Sequence, residues 1–254
     1  MQSGDRKSLS ELMSALKGGL IVSCQASTGE PLAKPEHITA ISLTVLRGGA
    51  RALRLEGVEN IRAVRAEVEV PIIGITKMDG LSDAERLEQA YITATYDEAA
   101  MVAESGADIV ALDATGRPRP DGLTLKETVT RIHQELGIPV WADTATFEEA
   151  RSAVESGVDM VSTTLFGYTK DTYRDHSHGP DFSFLERCVS ELAVPVIMEG
   201  RVWHHEQAAH AIACGAHAVV VGSAITRPHL ITRGFVGAVE SVELSGLAGQ
   251  SDRN

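Results

Sequence analysis

Two side chains in this sequence have the type and setting for proton transfer. Lys77 closes the apolar run "VPIIGITK", and Glu199 closes "VPVIME". A lysine acts as a base when desolvation or a nearby cation lowers its pKa, whereas a nearby carboxylate holds it as the ammonium. Facing each other, Lys77 and Glu199 would make a coupled pair able to pass a proton. The same pair could equally be a static ion pair bracing a rim, and a lysine so placed could also form a Schiff base with a carbonyl substrate. Other polar residues stand at the same kind of place, at or just beyond the end of an apolar run: Gln25, Arg54, Asp113, Asp143 and Thr163–Thr164. Two further stretches, "EGR" at 199–201 and "GSAITRP" at 222–228, read as an anion cradle. Gly200 and Gly222 let backbone approach an anion closely. Ser223 follows, and Arg201 and Arg227 supply planar, permanent charge. Together they suggest acid–base chemistry on a small, phosphate-bearing molecule. Taken singly, each has a plainer role as a solvated loop residue or a helix cap, as in the Asp143–Thr144 pair.

Strand ends must carry these residues for the chemistry to converge. Eight short apolar runs read as buried strands: Leu20–Ala26, Ala52–Leu55, Pro71–Thr76, Asp108–Asp113, Pro139–Ala142, Met160–Leu165, Pro195–Met198 and Ala218–Gly222. Between most of them lie patterns of helical period, at Pro35–Arg47, Val58–Glu67, Tyr96–Glu104, Leu123–Leu136, Phe147–Glu155, Phe182–Leu192 and Glu206–Cys214. "AESGADIVALD", "VESGVDMVSTT" and "IACGAHAVVVG" repeat one punctuation: helix end, glycine, strand. Gly106, Gly157 and Gly215 suit the left-handed position that ends a helix. Strand and helix alternating eight times predict a parallel sheet. The length of 254 residues favours a closed (β/α)8 TIM barrel as a single α/β domain spanning residues 1–254. Such barrels keep their chemistry at the C-terminal ends of the strands, where the polar residues stand. Leu9, Leu12, Met13 and Leu16 add a short amphipathic N-terminal helix. "YITAT" at 91–95 reads as a lead-in to the next helix, and the tail "GQSDRN" as frayed.

Composition excludes several alternatives. The net charge of −12 argues against nucleic-acid binding. No run approaches a membrane span or a signal peptide. Cys24, Cys188 and Cys214 are odd in number and widely spaced, which fits a reducing, cytoplasmic setting rather than a disulfide framework or zinc ribbon. His176–His178 and His204–His205 do not share a helix face, so no metal is expected. Tyr168–His178 reads as a polar lid loop. Barrels of this kind often pair, so a homodimer is an expectation.

Read in order, the strand-end motifs resemble those of the N-acetylmannosamine-6-phosphate 2-epimerases. The matching pieces are "GLIVSCQA", "PLAKPE", "GGARALRLEG", "PIIGITK", "ITAT", "ALDATGRPRPDG", "WADTAT", "STTLFGYT", "PDFSFLE", "VPVIMEGRV" and "VVVGSAITRP", from Gly19 to about Val236. The first ten or so residues, "KMDGLSDAERLEQAY" and "YRDHSHG" depart from the family pattern. The resemblance implies a (β/α)8 barrel that inverts C2 of an N-acylated hexosamine 6-phosphate, a step of amino-sugar and sialic-acid breakdown, without cofactor or metal. It implies Lys77 and Glu199 as the catalytic pair. It places Gln25, Arg54 and Asp143 on the sugar and Arg227 on the phosphate, with the Gly200 and Gly222–Ser223 loops, and Asp113 lies within a motif.

Overall fold

The structure, a computed structural model, describes residues 7–78, 80–175 and 178–248. The "GQSDRN" tail and His176 lie outside the described residues. Eight parallel strands close on themselves in sequence order: β1 (Gly19–Cys24), β2 (Ala52–Glu56), β3 (Ile72–Ile75), β4 (Ile109–Asp113), β5 (Val140–Asp143), β6 (Met160–Ser162), β7 (Val196–Glu199) and β8 (Ala218–Val221), with β8 pairing back onto β1. The outer helices are α2 (Pro35–Arg47), α3 (Val58–Arg65), α4 (Asp83–Glu88), α5 (Tyr96–Glu104), α6 (Leu125–Arg131, continued by a π-helical turn over Ile132–Leu136), α7 (Phe147–Glu155), α8 (Phe182–Glu191) and α9 (His205–Ala213). The short α10 (Ser223–Thr226) and long α11 (Pro228–Ala248) end the chain, and α1 (Leu9–Leu16) precedes the barrel. No described helix is long and apolar enough to cross a membrane.

Local chemistry sets the helix starts. Ser8, Ser82, Thr95, Thr124 and Thr146 each cap a helix, with a glutamate three residues on returning a bond to the cap's N–H. This reciprocal arrangement satisfies two otherwise unpaired N–H groups. The Thr95 cap explains why "YITAT" runs into α5 instead of forming a ninth strand, although Ile92 makes an isolated antiparallel bridge to Lys77. Gly137, in the left-handed region at φ 59°, stops the helical run before β5. β6 is shorter than its apolar run suggested, because the chain turns at Thr163, whose carbonyl accepts from the Phe166 N–H at 3.1 Å.

Successive strand residues point to opposite sides of the barrel wall. Val22, Leu53, Leu55, Ile72, Val110, Leu112, Val140, Val161, Val196, Met198 and Val219 pack outward against the helices. Their neighbours Ile21, Ala52, Ile73, Ile75, Ile109, Ala111, Trp141, Met160, Ile197, Ala218 and Val220 form a second cluster inside the barrel. Leu12 and Leu16 of α1 join this inner cluster and are fully buried, so α1 plugs the barrel. Gly74 is required in β3. A Cβ there would stand 2.5 Å from Val102 and 2.8 Å from Ala107, so its bareness lets α5 lie close on the strand.

Candidate active site

The alternation that fills the barrel also delivers its polar layer. Two residues beyond an inward apolar side chain comes an inward polar one. Ile21 leads to Ser23 and Gln25, Ala52 to Arg54 and Glu56, and Ile75 to Lys77. Ala111 leads to Asp113, Trp141 to Asp143, Met160 to Ser162 and Thr164, and Ile197 to Glu199. The strand register brings Asp113, Asp143 and Ser162 onto adjoining positions. Apolar residues below and polar ones above give a dry wall with a chemically active mouth.

Arg54 anchors this layer. Its guanidinium is buried and donates to both oxygens of Asp143, at 2.9 and 2.5 Å, and to Glu199 Oε2 at 2.7 Å. It also lies 5.6 Å from the Trp141 ring centroid. Burial alone would lower its pKa, but the charges of Asp143 and Glu199 more than offset this and keep it charged. Thr164 Oγ1 stands 2.9 Å from Asp143 Oδ1 and 3.1 Å from Glu199 Oε2, and Ser162 Oγ donates to Asp143 Oδ1 at 3.0 Å. Burial raises the pKa of Glu199 above the usual carboxylate range, against the pull of Arg54.

Lys77 is held differently. Its Nζ donates to the neutral Gln25 Oε1 at 2.7 Å, and Gln25 Nε2 donates in turn to Ser23 Oγ at 2.7 Å. Lys77 is exposed as a residue at the open mouth, yet protein surrounds its ammonium. The lost hydration lowers its pKa to about 8; Glu56 opposes this, Arg54 and Arg227 reinforce it, and Glu199 opposes it again. Lys77 and Glu199 make no direct ion pair, so the bracing alternative is not what the structure shows. Glu199 is bonded to Arg54, and Lys77 feels its charge only from farther off. A lysine titrating near neutrality suits a base.

The other expected residues divide in two. Gly222 starts α10 beside β1; a Cβ on it would stand 3.2 Å from Ser23, and Thr226 Oγ1 donates to the Ser23 carbonyl at 2.9 Å. Arg227 follows, ion-paired to Glu30 and 3.3 Å from Ser27 Oγ, so Gly222, Ser223 and Arg227 gather at one edge of the mouth. Arg201 leaves this group. Gly200 at φ 102° and Arg201 at φ 60° break the alternation, and Arg201 turns onto the loop between β6 and α8. There it donates to the carbonyls of Gly167, Arg174, Asp175 and His178. Asp113 is fully buried but committed to local bonds, from Arg117 at 2.7 Å and Thr115 Oγ1 at 2.7 Å. The loop singled out as a lid is therefore fastened at several described carbonyls by one arginine.

Sequence reasoning missed Glu56 as an influence on Lys77, Ser162 as a partner of Asp143, and Glu30 as the partner of Arg227. The first two were available from strand parity: Glu56 is two past Arg54, and Ser162 two past Met160. Glu30 had no such signal, since it lies on the loop after β1 and reaches Arg227 only through the closure of β8 against β1.

Fold and site define an acid–base enzyme of the (β/α)8-barrel class. The sequence profile of the family described as "Putative N-acetylmannosamine-6-phosphate epimerase" matches residues 38–241. Relatives from Caldanaerobacter subterraneus subsp. tengcongensis and Cutibacterium acnes are each 44% identical, over 240 and 230 residues. Those alignments cover 93% and 90% of this chain and 98% and 96% of the relatives, both named "Putative N-acetylmannosamine-6-phosphate 2-epimerase". A solved N-acetylmannosamine-6-phosphate 2-epimerase from Clostridium perfringens superposes with a TM-score of 0.84 at 37% identity, over 93% of this chain and all of that one. The chain belongs to the N-acetylmannosamine-6-phosphate epimerase family.

Removing one member of a buried ion cluster strands the others. Arg54→Met is expected to lower unfolding free energy by about 3–5 kcal/mol, read from urea or guanidinium melts. A loss within experimental error of zero would show that Asp143 and Glu199 do not depend on Arg54.

Proposed function

We propose that this enzyme interconverts N-acetylmannosamine 6-phosphate and N-acetylglucosamine 6-phosphate by moving the proton on C2. The observation that carries the reading is the placement of Lys77 at the barrel mouth, bonded to a neutral amide while Arg54 engages the neighbouring carboxylates. In the open-chain sugar, C2 lies beside the C1 aldehyde, so removing its proton gives an enolate. Neutral Lys77 takes that proton and becomes the ammonium. Negative charge collects on O1, and Glu199, whose pKa burial raises, serves the oxygen end. Once the enolate turns its other face toward Lys77, the ammonium returns a proton to C2, which inverts the centre and restores the aldehyde. Gln25 orients the lysine, Arg54 and Thr164 hold Glu199, and Asp143 holds Arg54.

The 6-phosphate is assigned to the Gly222–Ser223 edge and Arg227. The first N–H groups of a helix lack intrahelical partners and favour anions. Glu30 holds Arg227 in place, and the phosphate would take over its charge on binding. Fixing the substrate at a point remote from C2 helps bring C2 to Lys77. Three unpaired thiols fit a cytoplasmic location.

We also assign a second copy of the chain as the cover for α11. Thr232 through Val242 are all exposed, including Phe235, Val236, Val239 and Val242. An isolated helix bearing such a stripe gains little stability in water without a packing partner. Sedimentation of the wild type should give a dimer and Phe235→Asp a lighter species; a wild type that sediments as a monomer contradicts the assignment.

The reaction is tested by NMR of N-acetylmannosamine 6-phosphate with the enzyme in D2O. The C2 epimer should appear carrying deuterium at C2, and Lys77→Ala should slow both epimer formation and exchange by about 100- to 10,000-fold. No epimer and no exchange with the wild type would refute the activity. Near-native turnover by Lys77→Ala would refute the base.

A further inference from the structure

On the outside of the barrel, far along the chain from the catalytic lysine, a second set of chemically capable side chains meets. α9 carries His210, and Cys214 follows at its C-terminal cap, four residues on and therefore on the same helix face. α8 supplies Glu186. Cys214 Sγ stands 3.4 Å from Glu186 Oε1 and 3.5 Å from His210 Nε2. One donor atom from each of the three residues lies within 4.8 Å of the other two. Phe182, one turn before Glu186, meets the His210 ring edge to face with centroids 4.5 Å apart, which orients the imidazole. Glu186 and His210 are exposed and Cys214 is half-buried, so the group is open to solutes.

We propose that Glu186, His210 and Cys214 form a binding site for a borderline-soft divalent cation of the zinc type, joining α8 to α9. Ligands about 2.0–2.3 Å from a tetrahedral zinc ion lie roughly 3.3–3.8 Å from one another. The sulfur already stands at such distances from the oxygen and the nitrogen. A thiolate, an imidazole and a carboxylate suit zinc or cobalt, whereas magnesium and calcium select oxygen ligands throughout. Two anionic ligands balance the charge of the ion, and the net charge of −12 draws cations to the surface. Three protein ligands leave a fourth position for water.

Without an ion the Cys214 thiol donates to Glu186 Oε1. Binding exchanges this proton for the metal: Cys–SH and M2+ give Cys–S–M+ and H+. Affinity therefore rises with pH. The buried Cys24 and Cys188 do not compete.

The test is a cobalt(II) titration of the full chain followed by absorption. The wild type should take up one cobalt per chain with a thiolate-to-metal charge-transfer band and intense tetrahedral d–d bands, both removed by added zinc. Cys214→Ser should lose the charge-transfer band, and His210→Ala should weaken cobalt binding at least tenfold. Both variants should keep the far-ultraviolet circular dichroism of the wild type. Zinc should raise the melting temperature of the wild type and not that of Cys214→Ser. Absence of a charge-transfer band in the wild type, its persistence in Cys214→Ser, or unchanged affinity in His210→Ala would each overturn the site.

Discussion

The site depends on which cation the carboxylates are given to. A lysine amid acidic groups is normally stabilised as the ammonium and is useless as a base. Here Arg54 engages Asp143 through two hydrogen bonds and Glu199 through a third. Arginine suits this task, because its planar fork matches a carboxylate and stays charged even when buried. Lys77 takes the amide of Gln25 as its hydrogen-bond partner, and the carboxylate that acts on it most is Glu56, whose pull is outweighed by lost hydration. The burial that would make a lone arginine costly is offset by the two acids, and the same arginine then lowers the pKa of its lysine neighbour.

The barrel makes this division of partners rigid. Arg54, Asp143 and Glu199 stand on three different strands, each one step above a packed inward residue: Ala52, Trp141 and Ile197. Close packing below fixes the height and direction of the polar groups above. The departures from regular alternation fall at the edge of the mouth. Gly200 and Arg201 adopt left-handed backbone, and the arginine so displaced fastens the loop after β6. Gly222 lets the β8 end come against Ser23. Regular strands thus carry the buried polar layer, and the irregular joints shape the rim.

Most of the frame was legible in the sequence because its signals are local. Apolar runs, helical periods and glycines after helices each act within a few residues, and they locate β1 to β8 and most of the helices between them. The catalytic candidates were legible for the same reason: Lys77 and Glu199 are visible as charges at the ends of apolar runs. Partner choice was not. That Arg54 would reach Asp143, 89 positions away, and leave Lys77 to Gln25 depends on closure of the barrel, which no window of sequence contains. Arg201 was misleading because strand parity points it inward, and only the positive φ of Gly200 and of Arg201 itself redirects it. The pairing of His210 with Cys214 was not read from the sequence: adjacent histidines do not share a helix face, whereas residues four apart do.

The central claim is that the surroundings of Lys77 make it titrate near neutrality. The direct measurement is the titration of its ammonium by NMR in enzyme labelled with 13C at the lysine ε position, with the Lys77→Arg spectrum assigning the resonance. The account predicts a midpoint of about 8. A midpoint at the ordinary lysine value of about 10.4 would contradict it.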